Sequence, residues 1–256
     1  MLGSRSTLES DLIHLAALRP VPIPSHSPAR KHQPIWDRAV TRSMKKSTFL
    51  TAALISLAPV TAMAHPHIFV EARLEVVAAP DGSIQELRNV WRFDEVFSSS
   101  VVMDFDKNTD LKLEPNELAE VGKTVRESLS DYDYYMNLTI DGKNVTVQKP
   151  DIIHVDYKEG QLLMFFAVKP TEKMPLKGKL TFGVYDPTLY TSIDFPTDKE
   201  LATVGDGFKN CKHDVLRPDA DQVISQNKQS LTDAFFNDPT GTNMSKLFAT
   251  KLEVSC

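Results

Sequence analysis

Ile68 to Val77 (IFVEARLEVV) and Ile84 to Phe93 (IQELRNVWRF) decide the fold class of this chain. The first stretch alternates apolar and charged residues, the period of a half-buried strand. Asp81-Gly82 stands between the two as a turn signal, so the second is predicted to return as the other arm of a β-hairpin. Beyond the hairpin, Glu95 to Phe105 is predicted helical and Asp106 to Glu117 is a polar, acidic loop. Glu117 to Leu129 has helical spacing, with Leu118, Val121, Val125 and Leu129 on one face. After Asp131 the period returns to two. Tyr134 to Ile140 and Val145 to Gln148 flank Asp141-Gly142, and Ile152 to Tyr157 pairs with Leu162 to Val168 around Glu159-Gly160. Lys179 to Tyr185 and Tyr190 to Phe195 flank Asp186-Pro187. Ile224 to Phe236 is helical in spacing, and Leu247 to Val254 suits either a helix or a strand. The fold class is therefore α+β: a strand-rich single domain of antiparallel hairpins, with a helix-loop-helix inserted around residues 95–130.

Of the 256 residues, 41% are hydrophobic and 25% charged, an ordinary globular composition. Ten glycines exclude a collagen-like repeat. No apolar run reaches the roughly 18 residues that span a bilayer, so no transmembrane segment is expected in the mature chain. The net charge of −5 hides a break near residue 64. Up to there the chain holds 8 Lys/Arg against 3 Asp/Glu; the remainder holds 21 against 31, a charge of −10. Nucleic-acid binding needs a basic surface and is not expected.

Residues 44–64 read as a secretory signal. Met44-Lys45-Lys46 is a positive start, Thr48 to Val60 an apolar middle, and Ala62-Met63-Ala64 a small-x-small cleavage site. Such a signal belongs at a chain start, so residues 1–43 are read as a non-native upstream extension. Cleavage after Ala64 leaves a mature domain over residues 65–256 in an oxidising compartment, the bacterial periplasm.

The acidic loop resembles the calcium loop of an EF-hand. Asp106, Asn108 and Asp110 take positions 1, 3 and 5. Lys112 offers its backbone carbonyl at position 7, Glu114 stands at position 9, and Glu117 closes the loop as the bidentate ligand at position 12. Oxygen-only anionic ligands suit Ca²⁺ or Mg²⁺ better than a soft transition metal, and the loop is read as a calcium site. The departure is Leu111 at position 6, where glycine normally permits the turn. A left-handed conformation costs a leucine on the order of 1–2 kcal/mol. The alternative is a solvated acidic connector.

The mature N-terminus, His65-Pro66-His67-Ile68-Phe69, places an α-amine and two imidazoles within three residues. His65 and His67 form a candidate transition-metal site for Zn²⁺, nickel, cobalt or copper. This pentapeptide after a signal, together with Tyr185-Asp186-Pro187 and two widely spaced cysteines, resembles a family of uncharacterised bacterial periplasmic proteins. That resemblance covers the mature chain. It implies an accessory role in a transition-metal transport system, beside an inner-membrane permease of the nickel/cobalt type, with a link to zinc uptake. It implies no enzyme activity and no ligand set.

Cys211 and Cys256 are predicted to form a disulfide, as paired cysteines in an exported chain commonly do. The rival is a metal cluster at Cys211-Lys212-His213-Asp214, which lacks enough ligands for zinc. His154 lies in an apolar stretch and suits a sheet position. No GxSxG, HExxH or P-loop is present, and Asp94-Glu95 lacks a nucleophile to serve, so no enzyme is expected. The expectation is a periplasmic divalent-metal-binding accessory protein with a structural calcium site. Two alternatives stand beside it: a calcium-stabilised interaction module without a transition-metal role, and a periplasmic copper-binding protein.

Overall fold

The computed structural model describes residues 67–237 and 244–256. The signal at 44–64, the upstream stretch 1–43 and His65 lie outside the described residues. The predicted first hairpin forms as β1 (Ile68–Ala78) and β2 (Ile84–Phe93), antiparallel from Val70 opposite Phe93 to Ala78 opposite Ile84. It is followed by helices α1 (Glu95–Phe105) and α2 (Pro115–Ser128). The remaining strands are β3 (Met136–Ile140), β4 (Lys143–Val145), β5 (His154–Lys158), β6 (Gln161–Val168), β7 (Lys179–Val184), β8 (Thr191–Asp194), β9 (Leu201–Val204), β10 (Lys212–Leu216) and β11 (Lys251–Ser255). Helices α3 (Ala220–Asn237) and α4 (Ser245–Phe248) precede β11.

These strands form two sheets. One has the order β5-β6-β2-β1-β8, with β9 also beside β1; the other has the order β10-β11-β7-β3-β4. Inward residues of both sheets merge into one hydrophobic cluster. Leu74, Leu87, Trp91 and Met164 come from the first sheet, and Leu138, Phe182, Leu252 and Val254 from the second. The turns Asp141-Gly142 and Glu159-Gly160 have positive φ at both residues (48° and 79°, 55° and 83°). That is the twist-matched geometry of tight hairpins.

The strands flanking Asp186-Pro187 do not pair with each other. β7 belongs to the second sheet, whereas β8 runs parallel to β1 in the first, Ile68 opposite Thr191. The buried Asp186 carboxylate builds this corner. It accepts the Thr188 N–H and hydroxyl, both at 2.7 Å, and the Thr191 N–H at 2.9 Å. Three local readings also change, the first being the arm expected at Val145 to Gln148, which forms instead over Lys143–Val145. The strand expected from Tyr134 begins at Met136, because Asp133, Tyr134 and Tyr135 take positive φ (48°, 54° and 60°). Tyr134 is buried there, donates to the Arg126 carbonyl at 3.0 Å, and has its hydroxyl pKa pushed up to about 12 by burial. The C-terminal segment is both a short helix and a strand.

Cys211 and Cys256 are bridged, with Cα atoms 4.3 Å apart. They close the end of the β10–β11 ladder, next to the Lys212–Ser255 pair. The metal-cluster alternative at Cys211 is thereby overturned, since a bridged sulfur offers no thiolate. Reduction should lower the melting temperature. The loop-entropy model puts the loss at roughly 4 kcal/mol as an upper value for a closure of 45 residues. Thermal melts with and without reductant, beside a Cys211→Ser/Cys256→Ser variant, check this. Two titratable thiols in the untreated protein would refute the bridge.

Candidate functional site

The helix–loop–helix is tied to the sheet at both ends. Asp94 is the N-cap of α1. Its Oδ1 accepts the Phe97 N–H and its Oδ2 accepts the Phe69 N–H of β1, both at 2.9 Å. One turn later Ser98, fully buried, donates to the Asp94 carbonyl (2.6 Å) and accepts the Leu162 N–H of β6 (2.9 Å). Phe97, Val101 and Phe105 of α1 and Val121, Val125 and Leu129 after the loop pack on the core. Gly122 lets α2 sit against the segment entering β5: a Cβ at this position would lie 2.2 Å from the Ile153 carbonyl oxygen.

Between the helices, the loop folds around Asp106. Oδ1 accepts the N–H groups of Thr109 (2.7 Å) and Asp110 (3.3 Å), and Oδ2 accepts that of Leu111 (2.6 Å). Asn108 Oδ1 accepts from Asp110 N (3.0 Å), and Asp110 Oδ1 accepts from Lys112 N (3.0 Å). Leu111 takes φ of 62°, the left-handed conformation that its position in the motif demands. Leu113 turns inward to the core, while Leu111 is 74% exposed.

The second helix begins two residues earlier than its apolar spacing suggests, at Pro115, because Glu114 and Glu117 form a capping box. Glu117 is buried. Its Oε1 accepts the Lys107 N–H (2.8 Å) and its Oε2 the Glu114 N–H (2.9 Å), so one side chain bridges the two ends of the loop. Asn108 Nδ2 donates to Glu114 Oε1 at 3.0 Å. Lys107 pairs with Glu120. A hydrogen bond between the Glu114 and Glu117 carboxyls splits their acidities: Glu114 is held above the ordinary carboxylate range and Glu117 below it. The N–H groups of Lys107 and Glu114 deepen the Glu117 shift. Two carboxylates that resist joint ionisation are an arrangement a cation relieves. Among the described residues, no group of three or more His, Cys, Asp or Glu side chains is gathered as a metal cluster. The loop oxygens instead hold backbone N–H groups, and an ionised carboxylate oxygen with a single such bond keeps acceptor capacity.

Asp106, Asn108, Asp110, Lys112, Glu114 and Glu117 follow one another from the start of this loop into the first turn of α2, and the other candidates lie elsewhere. His67, just ahead of β1, donates its N–H to the Tyr190 carbonyl (2.9 Å), and its ring centroid lies 4.9 Å from that of Tyr190. His154 is exposed on β5, the edge of the first sheet, rather than enclosed by its apolar neighbours. His213 Nδ1 lies 3.3 Å from the Thr203 hydroxyl. Sequence reading missed the pinning role of Asp94, which it treated as half of a carboxylate pair. An Asp directly before an apolar helical run is a helix-start signal, and that signal was present.

A two-sheet α+β domain carrying an acidic helix–loop–helix is thus the class of protein defined here. The chain belongs to the family described as "Protein of unknown function (DUF1007)", whose model matches residues 50–256. No curated protein matches it. Among solved structures, it is similar to AChBP from Bulinus truncatus at 8% identity and a TM-score of 0.35, covering 82% of this chain and 96% of that one.

The pKa directions set a pH dependence. Glu117 has its pKa lowered on folding, so its contribution to stability is present above its unfolded pKa and is lost as pH falls through the folded one. Glu117→Gln should therefore melt below wild type at neutral pH, with the gap closing under acid conditions. Melting curves stepped through the carboxylate range measure the gap; a gap independent of pH would contradict the assignment.

Proposed function

We propose that this protein is an exported, non-enzymatic accessory component of a transition-metal transport system, stabilised by Ca²⁺ at the Asp106–Glu117 loop. The observation that carries the calcium reading is the Leu111 backbone. A leucine holds positive φ with its N–H on Asp106 Oδ2, the left-handed backbone that the sixth position of an EF-hand loop takes. Nothing in the hydrophobic packing of Leu111 explains that cost, since its side chain is exposed. Asp106, Asn108, Asp110, the Lys112 carbonyl, Glu114 and Glu117 would hold the ion. Bound calcium supplies charge that offsets the Glu114–Glu117 repulsion and ties α1 to α2.

Isothermal titration decides this half of the proposal. Wild type should bind Ca²⁺ weakly and gain thermal stability by linkage. Glu117→Gln should abolish binding, because the amide loses the charge and one good oxygen. Leu111→Gly should raise the melting temperature by relieving about 1 kcal/mol of backbone cost already carried by the folded loop, and should keep calcium binding. No calcium heat in either wild type or Leu111→Gly would reduce the loop to a solvated connector.

The transport half rests on the resemblance of the His65-Pro66-His67-Ile68-Phe69 terminus and on imidazole chemistry. The two histidines would capture or hand over zinc, nickel, cobalt or copper to an inner-membrane permease. His67 stands ahead of the first strand and is exposed, so its loss leaves the core intact. His65→Ala/His67→Ala in the signal-cleaved protein should remove transition-metal binding and spare the melting temperature. Unchanged zinc, nickel and copper affinities would favour a calcium-stabilised interaction module instead.

A further inference from the structure

The inward row of β2 reads Leu87, Asn89, Trp91 and Phe93, and one amide interrupts it. Asn89 stands opposite Leu74 of β1 on one side and Phe166 of β6 on the other, both buried. Alternation calls for an apolar residue at such a place. The Asn89 Nδ2 donates back along its own strand to the Leu87 carbonyl at 3.3 Å. Its Oδ1 accepts from no group among the described residues. Two positions on, the Trp91 Nε1–H likewise finds no acceptor among them. Both residues are 2% exposed, so bulk water reaches neither. Native interiors leave few polar groups in this condition, because the hydration lost on burial is then not replaced.

The two groups are neighbours. Residues two apart on a strand point to the same face, with Cα atoms about 7 Å apart. The indole of Trp91 leans towards Asn89, for it meets Phe166, the residue opposite Asn89 in the ladder, edge to face with ring centroids 5.0 Å apart. Tyr135 lies nearly parallel to the indole at 6.0 Å, but its hydroxyl is engaged by Thr191 and Asp186 and is not the missing partner. One of the two groups lacks an acceptor and the other a donor. An anion would suit the indole N–H and be repelled by the amide oxygen; a cation would do the reverse. A neutral molecule that both accepts and donates satisfies the pair, and it has to be small to sit between close-packed sheets.

We infer that Asn89 and Trp91 form an internal binding site for one water molecule, which accepts from the Trp91 Nε1–H and donates to the Asn89 Oδ1. Polar sites in a protein interior hold water, whereas apolar hollows stay dry. The water ties two inward positions of β2, a strand paired on both sides by β1 and β6. It also accounts for an amide in a row where packing alone selects leucine, tryptophan and phenylalanine.

The test reads the Trp91 indole proton by NMR in the full chain carrying Trp36→Phe, which leaves Trp91 as its only tryptophan. A held water gives that proton a cross-peak at the water frequency whose sign reverses between laboratory-frame and rotating-frame experiments, whereas exchange with bulk water keeps one sign. The reversing cross-peak is expected. Tyr135→Phe should keep it, since that change removes the nearby hydroxyl proton that would otherwise relay the signal. Asn89→Leu takes away the acceptor and should abolish the cross-peak. No cross-peak at all, as a direct bond from Trp91 to Asn89 would give, overturns the inference. So does a cross-peak of exchange sign, its loss in Tyr135→Phe, or its survival in Asn89→Leu. If Asn89→Leu does not fold, the Trp36→Phe chain and its Tyr135→Phe derivative still decide between a held water and none.

Discussion

Asp94 holds this structure's parts in register. One carboxylate caps α1 through Phe97 and fastens the start of β1 through Phe69. Its carbonyl takes the Ser98 hydroxyl, whose oxygen in turn receives the Leu162 N–H of β6. The helix thus starts from a fixed point between two strands, and everything built on it inherits that point. An alanine at residue 94 would take the side-chain acceptor from an N–H of the sheet and an N–H of the helix at once. The loop is positioned from the other side by the close approach of Gly122 to Ile153, so the cation-site candidate is clamped rather than suspended.

Much of the architecture was legible because alternation is a direct record of burial. The first hairpin and α1 fall where the period-two and helical patterns place them, and β5 pairs with β6 as expected but begins two residues later, at His154. Sheet membership was not legible. Nothing in the spacing around Asp186-Pro187 distinguishes a hairpin from a crossing between sheets, because the deciding contacts are made by a buried carboxylate whose partners lie within five residues. The short strands β9 and β10 carry too few residues for a period to emerge, and the left-handed run at Asp133 to Tyr135 contradicts the propensity of its own residues. The start of the acidic loop at Asp106 was legible, but its end was not, since the second helix begins at Pro115, inside the predicted loop. The engagement of Glu117 with Lys107 depends on how the two helices meet, which no local pattern encodes.

The loop also shows how one conformation can serve two ends. A leucine in left-handed backbone costs stability, and an exposed leucine gains none. The conformation is held instead by the loop around it, through the Leu111 N–H on Asp106 Oδ2. The capping box makes the same point electrostatically: Glu114 and Glu117 improve the helix start while crowding two carboxyl groups.

The pairing of β1 carries a consequence for the order in which the molecule can be made. One side of β1 meets β2 a few residues later, whereas its other side waits for β8 and then β9, Ile68 with Thr191 and Leu74 with Leu201. Contacts this distant in sequence slow folding, because a long loop must close before they are rewarded. Until the chain has emerged past Val204, the central strand has one open edge and the first sheet is incomplete. The domain is therefore committed late: its earliest strand is among its last to be enclosed, and a chain interrupted before β9 leaves an unpaired strand edge available to other molecules.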